Sequence, residues 1–185
     1  MMKIPELIGR ELQWVQPHAL KMDYELHAGD TVAATLHFRS SFGSFATATS
    51  ADGSWTFKRV GFWQTKVTIR ASEADADLAV FKNNTWSGGG TLELPDGRKY
   101  LANTNFWATQ YEFKAETGEA LISYKKIGGM LHMSSGVEIH ALAKDIAELP
   151  WMVLLGWYLT VMMNMDSAAV TASTVATVAA TTVAM

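Results

Sequence analysis

Apolar and polar residues alternate with a period of two through most of the chain before residue 146. That spacing puts successive side chains on opposite faces of a strand. Val32, Ala34, Leu36 and Phe38 fall on one face, with Ala33, Thr35 and His37 on the other. Trp55 and Phe57 oppose Thr56 and Lys58; Val67, Ile69 and Ala71 oppose Lys66, Thr68 and Arg70. Leu92 and Leu94 flank Glu93, and Tyr111 and Phe113 oppose Gln110, Glu112 and Lys114. Ile122 and Tyr124 oppose Ser123 and Lys125; Val137, Ile139 and Ala141 oppose Glu138 and His140. Weaker strands are predicted near 11–16, 22–28, 44–50, 77–82, 98–103 and 130–134. Asp52-Gly53 and Asp96-Gly97 read as two-residue hairpin turns, and Ala28-Gly29-Asp30, Thr117-Gly118 and Gly128-Gly129 as further breaks. No helical stretch separates the strands, so the pattern predicts antiparallel meanders rather than parallel crossovers.

From Leu149 to Met163 the pattern changes. LPWMVLLGWYLTVMM is apolar on every side and carries no charge. Its length as a helix is about 22 Å, short of a bilayer core of about 30 Å. Glu148 and Asp166 bound it, and no cluster of Lys or Arg sets an orientation. A helix apolar all round must be surrounded all round. About a dozen strands exceed what one open twisted sheet carries, and a barrel of that size has a lumen that wall side chains do not fill. Each problem answers the other. The predicted fold is mainly β: a closed antiparallel β-barrel of about 12 strands enclosing a hydrophobic C-terminal α-helix at about 146–165. Pro150 suits the first helical turn, and Gly156 is placed for close approach to the wall or as a tolerated weak point. Residues 1–166 read as a single domain. The tail, 167–185, holds only Ala, Thr, Val, Ser and Met and is expected to be disordered or to fray from the helix.

There is an internal echo. Asp52-Gly53, Phe62-Trp63 and Thr65 recur as Asp96-Gly97, Phe106-Trp107 and Thr109, each displaced by 44 residues. Val67 and Ile69 then match Tyr111 and Phe113 in phase. Two copies do not close a propeller, so the echo reads as two similar β units within one closed sheet.

The segments DGSWTFKRVGFW, LELPDGRKYLAN, YEFKAETGEALISYKK and ELPWMVLLGWYLTVMMN resemble the tubby-like C-terminal domain superfamily, over about residues 20–166. Its relatives include the LURP-one-related proteins, the phospholipid scramblases and small prokaryotic members. The resemblance implies a closed antiparallel barrel of about twelve strands around a hydrophobic C-terminal helix, a helix that in this family has been mistaken for a membrane span. It also implies an association with phosphoinositides. No headgroup-contacting or calcium-binding residue carries over position by position. A scramblase-like activity is not expected, because that class is associated with acylated cysteines.

Composition narrows the chemistry. The 185 residues have a net charge of −3, a pI of about 5.9 and no cysteine. There is no basic field for nucleic acid, no disulfide and no thiol chemistry. The opening MMKIPELIGRELQW does not read as a signal peptide, and with the missing cysteines the expected location is the cytoplasm, with peripheral association at the membrane. His18, His27, His37, His132 and His140 show no metal-ligand spacing, and His37 and His140 fall on outward phases. Glu73, Asp75 and Asp77 lack the ligand series and turn glycine of a calcium loop. Ser87-Gly88-Gly89-Gly90 has no Lys-Ser/Thr after it and reads as a loop, and Ser134-Ser135-Gly136 reads as a turn. No cofactor, metal or catalytic constellation is expected.

If the apolar phases point inward, Lys58, Lys66, Arg70, Lys114 and Lys125 point outward. A basic wall attracts anionic headgroups by about 1 kcal/mol per charge. These residues are the lipid-headgroup candidates, weighed against an ordinary solvated face. The leading expectation is a non-enzymatic module that binds an anionic phospholipid membrane surface or a protein through its outer wall. The alternatives are a small-ligand-binding barrel or an enzyme working in its mouth, and a membrane-anchored domain that inserts residues 149–165.

Overall fold

The computed structural model describes the chain except Phe42, residues 62–64, 85–88, Phe106, residues 129–131 and residues 184–185, and beyond Thr171 it describes the backbone alone. Twelve strands follow one another: β1 (Leu12–Val15), β2 (Asp23–Ala28), β3 (Thr31–Phe38), β4 (Phe45–Ser50), β5 (Gly53–Val60) and β6 (Lys66–Ala71). The second half holds β7 (Ala79–Asn84), β8 (Gly89–Glu93), β9 (Lys99–Thr104), β10 (Gln110–Ala115), β11 (Ala120–Gly128) and β12 (Ser134–Ile139). Each strand pairs antiparallel with its sequence neighbours, and β1 pairs with β12, closing the barrel. A 3₁₀ turn at Ile4–Leu7 precedes the barrel, another at Ala141–Ala143 follows it, and helix α1 spans Leu149–Val183.

The predicted inward phases hold along most strands. Ala34, Leu36, Phe38, Trp55, Phe57, Val67, Ile69, Phe113, Ile122 and Val137 are buried. Three details differ. Ala33, assigned outward, is buried beside Ala34: the register with β2 steps from Leu26↔Ala34 to His27↔Val32, so Ala33 is an extra, bulged residue. Leu121 is likewise the extra residue of β11 opposite β10 and is buried. Ser134-Ser135-Gly136, read as a turn, opens β12, where Ser135 pairs with Trp14; Ala141 lies beyond that strand and is exposed. Of the weak strand at 130–134, Met130 and Leu131 lie outside the described residues.

Turn chemistry is also adjusted. Ser50 pairs with Gly53, so the β4–β5 turn is centred on Ala51-Asp52, one residue earlier than predicted. Asp52 accepts the Ile4 backbone N–H at 2.8 Å, which ties the N-terminal 3₁₀ turn to this hairpin. At the β8–β9 hairpin Gly97 N–H donates to Leu94 O at 3.0 Å with Gly97 at φ +90, a three-residue loop that needs a residue tolerating positive φ. The 44-residue echo maps onto hairpin β5–β6 and hairpin β9–β10, whose inward Val67 and Ile69 correspond to Tyr111 and Phe113. Phe62, Trp63 and Phe106 of that echo lie outside the described residues.

Helix α1 occupies the lumen. Trp151 to Met162 are buried on every face. Trp157 stacks on Trp14 of β1 at 5.7 Å and meets Tyr24 of β2 edge-on at 5.7 Å. Tyr158 stacks on Phe38 of β3 at 5.4 Å and packs on Phe57 of β5. On the far wall, Tyr124 of β11 donates its hydroxyl to Val153 O at 2.7 Å. Gly156 lies against this same side chain: a Cβ there would overlap the Tyr124 ring and hydroxyl, so its role is close approach. Over Leu149–Thr171 the helix is long and apolar enough to cross a membrane by length and composition, but its first half has no face left for lipid while the barrel is closed. The tail expected to be disordered continues α1 to Val183, in keeping with the high helix propensity of its alanines.

Candidate functional site

Antiparallel connectivity sends alternate connections to opposite ends of the barrel. At the base, where α1 begins, lie the connections β2–β3, β4–β5, β6–β7, β8–β9 and β10–β11, and the segment from β12 to α1. Each contains a carboxylate: Asp30; Asp52; Glu73, Asp75 and Asp77; Asp96; Glu116 and Glu119; Asp145 and Glu148. At the mouth, where α1 leaves, the connections β1–β2, β3–β4, β5–β6, β7–β8, β9–β10 and β11–β12 contain no Asp or Glu in the sequence. They carry the exposed cations Lys21 and Arg39, with Lys126 at the adjoining end of β11. Leu20 and Trp107, 93% and 78% exposed, are in these connections.

A buried ionic clamp anchors the base. Glu148 is 7% exposed and accepts both Arg98 nitrogens, at 2.7 and 3.1 Å, and the Tyr100 hydroxyl at 3.1 Å. Burial and the adjacent Glu148 carboxylate push the Tyr100 phenol up to about 12. Arg98 also pairs with Asp96 at 2.7 Å, and its hydrogen bonds hold the Asp96 carboxyl below the usual range. The Glu148 backbone carbonyl accepts Met152 N–H at 3.0 Å, so Glu148 stands at the start of the helix, where the dipole favours its negative charge while its carboxylate serves Arg98 and Tyr100. Sequence reasoning missed this clamp. The available signal was an acid directly ahead of the apolar run.

The five headgroup candidates stand on two walls. Lys58, Lys66 and Arg70 are on β5 and β6; Lys114 and Lys125 are on β10 and β11, with β7 to β9 between them. Arg70 pairs with Asp77 at 2.5 Å, Lys114 with Glu112 at 3.1 Å, and Lys125 with Glu138. Lys58 and Lys66 have no ion pair among the described residues, and both lie toward the mouth. Lys66 opposes Lys82 in register, and the two line an open surface hollow with Thr65, Asn83, Asn84 and Thr91. Lys82 is paired with Glu93 at 2.5 Å, and its hydrogen bond lowers the Glu93 pKa.

Four of the five histidines are bonded within the barrel, among them His132 to Gln16 O at 2.9 Å. His37 bonds Asp23, and His27 bonds Glu25 at 2.9 Å. His140, read as solvated surface, is half-buried and bonds Ser123 at 2.9 Å, because β12 lays it across β11. Among the described residues no cluster of His, Cys, Asp or Glu has metal-binding geometry. Ser87 and Gly88 lie outside the described residues, and Gly89 and Gly90 open β8.

Two cavities flank α1 where it leaves the barrel, of about 250 and 230 Å³. Tyr111 and Met163 belong to the walls of both. Arg59 and Asp166 close the second with an ion pair of 2.6 Å between β5 and the helix. The helix therefore fills the lumen while leaving recesses at the mouth. Searches against protein-family models, curated proteins and solved structures find no match to this chain.

Proposed function

We propose that the protein is a non-enzymatic barrel module that docks mouth-first on an anionic phospholipid surface. The polarity of the barrel carries this reading: carboxylates populate every connection at the base, and none occurs in a connection at the mouth. Exposed Leu20 and Trp107 supply apolar and interfacial side chains there. Lys21, Arg39 and Lys126, with Lys58 and Lys66 behind them, which have no ion pair among the described residues, supply positive charge, and the acids at that end, Asp23 opening β2 and Asp166 on α1, are bonded to His37 and Arg59. Near an anionic membrane each such charge contributes about 1 kcal/mol, and the acidic base is repelled, so the field orients as well as attracts. Val170, 67% exposed on the emerging helix, faces the same side. The likeness to tubby-like domains supports this reading through the family's association with phosphoinositides. It is also the ground for reading the chain as a member of that superfamily, since a closed barrel with a hydrophobic C-terminal helix is what the resemblance implies.

Co-sedimentation with phosphatidylcholine vesicles, with and without phosphatidylserine, tests the proposal. The protein is expected to pellet with the anionic vesicles and to be released by salt. Leu20→Glu with Trp107→Glu is expected to abolish pelleting, whereas Leu78→Glu with Leu142→Glu at the base leaves it intact. Equal, negligible pelleting with both vesicle types removes the proposal.

A further inference from the structure

We propose that the larger mouth cavity binds a small, neutral, mainly apolar molecule carrying one hydrogen-bond acceptor, which the Tyr111 hydroxyl holds. Tyr111 is 2% exposed, and its hydroxyl has no hydrogen-bond partner among the described residues. The other tyrosines are all engaged: Tyr24 with Met22 Sδ, Tyr100 with Glu148, Tyr124 with Val153 O and Tyr158 with Ser44 O. Among the described residues the buried polar atoms without a partner are the Trp14 and Trp157 indole nitrogens, so the Tyr111 hydroxyl is not sealed off; a molecule that fills the cavity desolvates it, and a donor then left unmade costs about 1–3 kcal/mol.

The cavity selects for charge, size and polarity. Its described lining contains no charged residue, which disfavours an ion. Ala108, Ile127 and Met163 supply apolar wall beside the Tyr111 ring. The hydroxyls in the wall are already donating: Thr160 to Gly156 O at 2.8 Å, Ser167 to Met163 O at 2.9 Å and Thr104 to Gln110 O at 2.9 Å. Tyr111 is thus the hydroxyl left to donate, and burial holds its pKa far above the ordinary phenol value, so it stays protonated. An apolar cavity of about 150 Å³ takes benzene, so about 250 Å³ suits one ring with a small substituent. Two wall segments are held in left-handed backbone without glycine: Ala108 at φ +53, and Lys126 at φ +55 next to Ile127. Such strain gathers where a particular surface shape is maintained.

Acetophenone and α-methylstyrene have the same shape, and only the ketone accepts a hydrogen bond. Titration calorimetry on the full chain is expected to show acetophenone binding about 5–30-fold tighter, as one hydrogen bond to a donor that either ligand desolvates implies. Tyr111→Phe is expected to bring the two affinities together, and Ile127→Trp to abolish both by filling the cavity. As a reading that needs no variant, the carbonyl stretch of bound acetophenone should lie below its frequency in hexane. No binding of either compound to the wild-type chain, equal affinities in that chain, a preference that survives Tyr111→Phe, or an unshifted carbonyl stretch overturns the proposal. This outcome is independent of vesicle binding.

Discussion

At Gly156 the helix lies against the Tyr124 side chain, and two opposing effects meet there. Gly156→Ala gains about 1 kcal/mol of helix propensity. It also drives a methyl into the Tyr124 ring, whose hydroxyl is fixed on Val153 O. Overpacking costs about 1–3 kcal/mol, and more where the neighbour is held. The variant is therefore expected to be less stable by about 1–2 kcal/mol in urea unfolding. Because Gly156 and Tyr124 share one contact, the pair Gly156→Ala/Tyr124→Phe should lose less than the sum of the single changes. A stabilised Gly156→Ala would mean that the helix does not sit against β11. Trp14 and Trp157 show a different residue-scale balance. Both indole N–H groups are buried without a partner among the described residues, while their rings stack at 5.7 Å and an interplanar angle of 5°. Stacking and apolar burial here outweigh an unmade hydrogen bond.

At the scale of elements, α1 is two things in one helix. Its first half is core: each fully buried Leu, Val or Met contributes about 1.5–3 kcal/mol, and Trp157 and Tyr158 pack against the stretch of wall from β1 to β5. Beyond Met162 exposure rises, with Asn164 and Asp166 at the surface. Truncation separates the halves. A chain stopped after Asp166, which keeps the ion pair to Arg59, is expected to retain its cooperative thermal transition within about 2–3 °C. A chain stopped after Glu148 loses the filling of its lumen and is expected to show no cooperative transition. Differential scanning calorimetry checks both, and a folded, cooperative barrel ending at Glu148 would contradict the plug.

For the whole molecule, every tyrosine lies in or against one core, and every one has a raised pKa. Burial, with Asp23 nearby, pushes Tyr24 up to about 12, and burial with the Glu148 charge pushes Tyr100 up to about 12; burial raises Tyr111, Tyr124 and Tyr158 too. A phenol with a folded pKa above its unfolded value contributes stability that is fully present below about pH 10 and lost as the pH rises toward 12. The protein is expected to show almost no tyrosinate absorbance at pH 10 to 11, then to release all its phenol protons together as it unfolds. A gradual titration centred near pH 10 with the fold intact would contradict the burial. The same molecular scale carries the polarity of the barrel, since the asymmetry between base and mouth belongs to no single strand.

The period-two pattern by itself determined the strands, because alternation has one meaning for a half-buried sheet. The uncharged run after Glu148 determined that something must enclose it, because a helix without a polar face has no stable surface position. Local chemistry did not determine register. Whether Ala33 and Leu121 are extra residues, and which pair of residues centres the β4–β5 turn, depends on how neighbouring strands align, and several alignments suit the same alternation. Nor did it reveal that Glu148 meets Arg98 and Tyr100 across the base, or that the basic candidates divide between two walls, because those neighbours lie about fifty residues apart in the chain or on strands that only closure arranges. The recesses at the mouth and the uncommitted Tyr111 hydroxyl are likewise products of closure: they exist only where α1 passes between strands that are far apart in the chain, a fit that three-dimensional packing decides.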